Sequence, residues 1–140
     1  MKRLSARNTL EVSITQIKEC VANNEISAKI ADCKLSAIIT KDSCDEMGLK
    51  VGDSINFIIK AQNVLVAMPD FNAKISVENI LKVSIDEIKV GAVMSQISAS
   101  FGDCKLCAVI TSQSCQNLGL KVGDEILFLI NANDILIAKN

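Results

Sequence analysis

The sequence predicts a mainly β protein built from two tandem OB-like five-stranded β-barrels, each with one short helix. Ile and Val make up 30 of the 140 residues, and both residue types favour strands. Several stretches alternate apolar and polar residues at the two-residue period of a strand. The chain also repeats itself, because Ile38-Ile39-Thr40 recurs as Val109-Ile110-Thr111 at an offset of 71 residues.

The internal repeat also sets the expected domain boundaries. A second segment, Gly48-Leu49-Lys50-Val51-Gly52-Asp53, recurs with the same offset as Gly119-Leu120-Lys121-Val122-Gly123-Asp124. Residues 5–67 match residues 76–138 without a gap, and roughly half of the paired positions are identical. The single proline, Pro69, lies between the copies. We therefore expect repeat one at residues 1–68, a linker at 69–74 and repeat two at 75–140.

Each repeat has the pattern of three strands, one helix and two further strands, in that order. In repeat one the first, second and fourth strands show alternation. Their apolar positions are Leu10, Val12 and Ile14, then Ile26, Ala28 and Ile30, and later Ile55, Phe57 and Ile59. Short apolar runs at residues 35–39 and 64–67 supply the third and fifth strands. Five strands and one helix in about 65 residues are typical of a small OB-type barrel.

The helix of repeat one is bounded by residues that start and stop helices. Thr40 can cap its N-terminus through the side-chain hydroxyl. Asp42, Asp45 and Glu46 place negative charge in its early turns, near the positive end of the helix dipole. Gly48 ends the helix, as glycine commonly does. A barrel this small has a thin core, so we expect the two repeats, or several chains, to pack together.

Composition excludes several classes of function. The chain has no His, which removes the commonest general base, the Ser–His and Cys–His nucleophile pairs, and most zinc or iron sites. Its 15 basic and 16 acidic residues, with four Phe but no Trp or Tyr, argue against binding to nucleic acid. We therefore expect neither enzymatic activity nor a nucleic-acid partner.

The chain also lacks the sequence features of a membrane or exported protein. No apolar run approaches the roughly 18 residues of a membrane helix. The start, Met1-Lys2-Arg3-Leu4-Ser5, turns polar before a signal-peptide core could form. We expect a cytoplasmic protein without a membrane partner, whose six Cys are reduced.

A pair of hydroxyl residues three positions apart recurs at the start of each helix, as Thr40 with Ser43 and as Thr111 with Ser114. Hydroxyl donors beside the unpaired backbone N–H groups of a helix start can hold an oxyanion. The commoner role of such a Thr is a plain N-cap, and the spacing alone leaves both interpretations open.

Two basic residues could serve an anion site, namely Arg7 and Lys60. Arg offers a planar fork of donors and Lys a compact charge, and both suit a tetrahedral dianion. Most Arg and Lys side chains are simply solvated surface charges, so this interpretation also stays open.

The segment Cys104-Lys105-Leu106-Cys107 is a CxxC motif, which suggests zinc binding or thiol redox chemistry. A structural zinc site needs four ligands, and the chain offers neither His nor a second CxxC. We expect these cysteines, like Cys44 and Cys115 on the helices, to be small apolar residues of the core.

Taken together, the ordered segments resemble the molybdate-binding Mop domain, a TOBE-type module. The resemblance covers nearly the whole chain, twice, and the tandem arrangement is similar to the di-Mop molbindins. The segments that carry it in repeat one are Ser5-Ala6-Arg7-Asn8, Ala37-Ile38-Ile39-Thr40-Lys41-Asp42-Ser43, Gly48-Leu49-Lys50-Val51-Gly52-Asp53 and Lys60-Ala61.

The resemblance implies an OB-like barrel in each repeat and assembly of the chain as a homo-oligomer, a trimer. It further implies sites for a tetrahedral oxyanion, molybdate or tungstate, at module interfaces between subunits. The site residues it implies are Ser5, Ala6, Arg7, Thr40, Ser43, Lys60 and Ala61 in repeat one, and Ser76, Thr111 and Ser114 in repeat two.

Repeat two departs from this pattern at both cations. Glu78 stands where repeat one has Arg7, and Asn131 replaces Lys60. We therefore expect the tighter sites to depend on repeat one, because a buried dianion needs donors and preferably a cation.

The sequence supports three functional hypotheses. The first is cytoplasmic binding of molybdate or tungstate for molybdenum storage, homeostasis or delivery. These residues do not distinguish the free oxyanion from pterin-bound molybdenum. The second is a non-catalytic, oligomerising interaction module that has lost anion binding, which Glu78 and Asn131 would favour. The third is a zinc or redox protein that uses Cys104 and Cys107.

Overall fold

A computed structural model describes residues 8–140 and shows two curled five-stranded sheets and two α-helices. Repeat one contains β1 (Asn8–Glu19), β2 (Asn23–Ile30), β3 (Cys33–Thr40), α1 (Lys41–Met47), β4 (Ser54–Ile59) and β5 (Val64–Ala67). Repeat two contains β6 (Asn79–Val90), β7 (Met94–Phe101), β8 (Cys104–Thr111), α2 (Ser112–Leu118), β9 (Glu125–Ile130) and β10 (Ile135–Ala138). The predicted fold class and the order of elements in each repeat are confirmed.

The two repeats exchange their fifth strands. The first sheet has the strand order β10-β4-β1-β2-β3, so its edge strand comes from repeat two. The second sheet has the order β5-β9-β6-β7-β8 and takes its edge strand from repeat one. Both exchanged strands pair antiparallel, with Ile135 opposite Ile59 and Val64 opposite Ile130. Each sheet is therefore completed by the other repeat, and the two modules form one structural unit.

Both sheets are curled, and their buried apolar side chains form one core cluster. The register of β1 with β2 shifts between Ile14 and Gln16, and β6 has the equivalent shift; such bulges bend a strand. The largest side chains enclosed by the two sheets are Phe57 and Phe128, which occupy equivalent positions and are fully buried. Alternating residues of β1 and β6 face the core, as the period-two pattern predicts.

Both helices begin and end where the sequence predicts. Thr40 caps α1, since its side-chain oxygen accepts a hydrogen bond from the Ser43 N–H. Gly48 ends this helix in the left-handed conformation with φ of 59°, where a side chain would be strained. Thr111 and Gly119 do the same for α2. This places the two predicted hydroxyl pairs at helix starts.

A buried asparagine at the start of each repeat fastens it to the other repeat. The Asn79 side chain accepts from the Ser36 N–H (2.8 Å) and donates to the carbonyls of Ser36 (2.9 Å) and Ile130 (3.2 Å). Asn8 makes the equivalent two-point contact with the Cys107 backbone, at 2.7 and 2.8 Å. Because Asn79 and β3 belong to different sheets, as do Asn8 and β8, these amides tie the two sheets together.

The end of the chain adds a contact that repeat one does not have. The Lys139 ammonium donates to the Gly48 carbonyl and to Asp53 Oδ2, both at 3.1 Å. The hydrogen bond from Lys139 to Asp53, together with one from the Lys50 N–H, holds the pKa of Asp53 below its usual value. The position equivalent to Lys139 in repeat one is occupied by Met68.

We expect the substitution Lys139→Met to raise the pKa of Asp53 toward its usual value. A depressed pKa in the folded state gives stability that is present above the unfolded pKa and is lost as the pH falls through the folded pKa. The variant should therefore lose stability above about pH 4 and approach the parent protein in stronger acid. An NMR titration of the Asp53 carboxyl and thermal melts at pH 3 and pH 7 would check this; equal loss at both pH values would contradict it.

Neither α-helix in the described part of the chain is long enough to cross a bilayer, since each has seven residues.

Candidate functional site

The hydroxyl pairs at the two helix starts are exposed and have nearly identical geometry. Thr40 Oγ1 donates to Ser43 Oγ at 2.9 Å and accepts from the Ser43 N–H at 3.1 Å. The corresponding distances for Thr111 and Ser114 are 2.7 and 3.1 Å. Both Thr residues thus act as N-caps. The Ser hydroxyls remain at the surface, where they can donate to a ligand.

Lys60, one of the two predicted basic residues of repeat one, follows the end of β4. It is exposed and directly precedes a single turn of 3₁₀ helix at Ala61–Asn63, which we term the first turn. Ala61 is buried, so its backbone rather than its side chain can contribute to a site. The first turn packs against β8 of repeat two, not against the third strand of its own repeat.

The equivalent 3₁₀ helix of repeat two, Ala132–Asp134, which we term the second turn, has polar caps. Asn131 Oδ1 accepts from the Asn133 N–H at 3.2 Å. Glu78 Oε1 accepts from the Ala132 N–H at 2.7 Å. Thus the two residues that replace Arg7 and Lys60 both contact the backbone at the start of this turn.

Three of the predicted site residues, Ser5, Ala6 and Arg7, lie outside the described residues. Their counterpart in repeat two begins with Ser76, which is exposed. The structure places Ser76 two residues before Glu78 and three before the buried Asn79.

Within one chain, the predicted site residues of repeat one form two separate groups. Lys60 directly follows the β4 residue that pairs with Asn8, at the start of β1. Thr40 lies beside the far end of β1, because it pairs with Asn23 at the start of β2. The 12 residues of β1 lie between these ends, which corresponds to roughly 36 Å of strand at about 3.3 Å per residue. Lys60 and the hydroxyl pair of its own repeat therefore lie at opposite ends of β1.

The CxxC motif is not a ligand pair. Cys104 and Cys107 lie three residues apart on β8, so their side chains point to opposite faces of the sheet. Cys104 packs against the core cluster, whereas Cys107 is buried at the position whose backbone binds Asn8. Within residues 8–140, no three His, Cys, Asp or Glu side chains are grouped as a metal site requires.

Replacing both residues, Cys104→Ser with Cys107→Ser, is expected to leave oxyanion affinity within about twofold, because both cysteines lie within strand β8 and neither belongs to the proposed set of oxyanion donors. The serines should cost stability instead, since a buried hydroxyl that replaces a thiol must find a new hydrogen-bond partner. Ligand titration and zinc analysis of the variant and the parent would check this. Stoichiometric zinc in the parent that is absent from the variant would support the hypothesis of a zinc protein that uses Cys104 and Cys107.

Two roles in the structure have little or no signal in the local sequence. Asn8 and Asn79 bind the two sheets together, although the only sequence signal is one identical Asn in each repeat. The sequence shows Glu78 only as the replacement of a cation, whereas in the structure its carboxylate accepts a hydrogen bond from the second turn. Contacts of this kind join residues more than 40 positions apart, so local patterns do not indicate them.

A known domain family matches the chain twice. The TOBE domain model matches residues 4–66 and 75–137. The molybdenum-pterin-binding protein MopA of Rhodobacter capsulatus is 34% identical over 138 residues, covering 97% of this chain and 52% of MopA. Molybdenum-pterin-binding protein 1 of Clostridium pasteurianum is 34% identical over 64 residues, which are 45% of this chain and 94% of that protein.

A solved structure matches along the full length. The molybdate-bound crystal structure of the cytoplasmic molybdate-binding protein ModG has a TM-score of 0.94 to this chain at 25% identity, and the match covers 99% of both chains. By contrast, this chain spans only about half the length of its longer curated relatives. The match covers 52% of MopA and 51% of the molybdenum transport protein ModE of Azotobacter vinelandii.

Proposed function

The chain belongs to the TOBE-domain family, and on that premise we propose that it is a cytoplasmic molybdate-binding protein without enzymatic activity. Its role would be the storage, homeostasis or delivery of molybdenum, and tungstate would be accepted in place of molybdate. The observation that carries the proposal is the full-length match to molybdate-bound ModG, together with the oxyanion donors that this chain keeps in repeat one.

The chemistry of the donors suits a tetrahedral dianion. The Ser43 hydroxyl and the backbone N–H groups of the first turn are neutral donors that tolerate close approach to an anion. Lys60 and Arg7 add positive charge, which offsets the cost of removing a dianion from water. Each of these groups is a hydrogen-bond donor, which is the chemistry that binding an oxyanion requires.

We propose that the site is completed between chains. Lys60 and the hydroxyl pair of the same repeat lie at opposite ends of β1, so one chain exposes two half-sites. A neighbouring chain that presents its helix start to the first turn would join the two halves. Exposed apolar side chains near the helix ends, Val51 in repeat one and Val122 in repeat two, support such packing.

A homotrimer is the assembly that we expect. Light scattering should give about three times the chain mass of 15.1 kDa, which is roughly 45 kDa for a closed ring of three chains. A stable monomer at micromolar concentration would contradict a site formed between chains.

Isothermal titration calorimetry with sodium molybdate tests the proposed function. We expect saturable binding of molybdate and of tungstate, with sulfate as a matched control because it is a smaller tetrahedral dianion. Saturable molybdate binding that excess sulfate does not displace would support the proposal. A flat titration would overturn it and favour the interaction module that has lost its ligand.

A further inference from the structure

The second turn already holds an anionic group that belongs to the chain itself. The N–H of Ala132, the first residue of this turn, donates to the Glu78 carboxylate at 2.7 Å. The next N–H, that of Asn133, donates to the Asn131 side chain. Both backbone donors at the start of this turn therefore have acceptors.

The first turn differs at the same two positions. Among the described residues, no side chain caps its N-terminus, and Lys60 occupies the place of the capping Asn131. A Lys cannot accept a hydrogen bond from the backbone, whereas the Asn amide can. Arg7, at the position of Glu78, likewise carries donors only. Repeat one thus offers donors and positive charge where repeat two offers acceptors and negative charge.

We propose that the Glu78 carboxylate takes the position in repeat two that the oxyanion takes in repeat one. The chain would then bind one oxyanion at its 3₁₀ turns instead of two. This inference rests on the proposed function, because it identifies which of the two turns serves it.

Two physical effects would exclude an external dianion from the second turn. Glu78 is part of the same chain and directly precedes Asn79, which three hydrogen bonds hold in place. The effective concentration of the Glu78 carboxylate at the Ala132 N–H is therefore high. A dianion that approached would also meet the negative charge of the carboxylate, and no cation of repeat two stands at the position of Lys60 to offset it.

The test uses the variant Glu78→Arg with Asn131→Lys, which gives repeat two the residues that repeat one has at positions 7 and 60. Equilibrium dialysis against molybdate should give about one molybdate per chain for the parent and close to two for the variant. Glu87→Ala is the matched control, since Glu87 is an exposed carboxylate of β6 that pairs only loosely with Lys89 at 3.7 Å. The control should bind like the parent.

Two molybdate ions per chain in the parent would overturn the inference, and so would a variant that stays at one. A second measurement separates failure of the inference from failure of the proposed function. In ¹⁵N-labelled Glu78→Ala protein, molybdate should shift the backbone amide signals of Ala132 and Asn133, which it leaves unmoved in the parent. If the parent binds no molybdate, the proposed function fails. If the parent binds about one molybdate per chain and the amide signals stay unmoved in Glu78→Ala, the inference alone is overturned.

Discussion

Replacing Lys60 by Ala should remove the tightest class of oxyanion sites. The Lys60 ammonium directly precedes the first turn of repeat one, and a desolvated dianion depends on charge-assisted contacts. We expect a loss on the order of 2–4 kcal/mol, which corresponds to roughly 30- to 700-fold weaker binding. Arg7→Ala should have an effect of the same size, because Arg is suited to bidentate contacts with an oxyanion.

The loss should be specific to these two positions. Lys29→Ala removes an exposed Lys of β2 and should leave affinity unchanged. Asn131→Ala should also cost little, because Asn131 caps its own turn and holds no ligand. Calorimetric titration of the four variants measures all of these effects. The main site would belong to repeat two if Asn131→Ala weakened oxyanion binding while Lys60→Ala and Arg7→Ala left it unchanged.

Replacing Asn79 by Ala should produce the largest loss of stability among the polar residues. The substitution leaves the N–H and carbonyl of Ser36 and the carbonyl of Ile130 without their side-chain partner. Asn79 is 2% exposed, so water does not replace the lost contacts. Three lost hydrogen bonds at a buried position should cost about 2–4 kcal/mol of unfolding free energy.

Urea unfolding at a fixed protein concentration measures this loss, because the stability of an oligomer depends on concentration. Asn72→Ala is the control, since Asn72 is an exposed residue of the linker and should change the unfolding free energy by less than about 0.5 kcal/mol. Equal stability of Asn79→Ala and Asn72→Ala would show that the asparagine contacts do not hold the two sheets together.

Much of the fold could be predicted from local patterns. Alternation gave the strands around Val12 and Ile26, and Thr40 and Gly48 marked the helix ends, because capping and strand periodicity depend on near neighbours. The strand exchange could not be predicted in this way. A fifth strand such as Val64–Ala67 has the same apolar pattern whether it pairs with the fourth strand of its own repeat or with that of the other repeat.

For the candidate site, the sequence indicates which residues could bind an oxyanion but not where the fold places them. Residue type identified the donors, since hydroxyls, Lys60 and Arg7 suit an oxyanion wherever they lie. Their separation along β1 depends on strand pairing, which the spacing in the sequence does not reveal. The bond from Ala132 to Glu78 spans 54 residues, so the sequence showed a missing cation and not an internal acceptor.

The central claim, that the oxyanion is bound between chains, is tested most directly by mixing two defective chains. One chain carries Lys60→Ala, and the other carries Ser43→Glu with Ser114→Glu. A Glu three residues after the Thr cap fits a capping box, so the second chain should fold while its carboxylates repel a dianion. Each chain alone should bind almost no molybdate.

The two chains are then unfolded together in equal amounts, refolded and dialysed against molybdate. Sites shared between chains predict recovery of about one site in four, because random mixing in a ring joins the two intact halves at that frequency. A refolded mixture that contains mixed oligomers yet binds no more molybdate than the separate chains would contradict a site formed between chains.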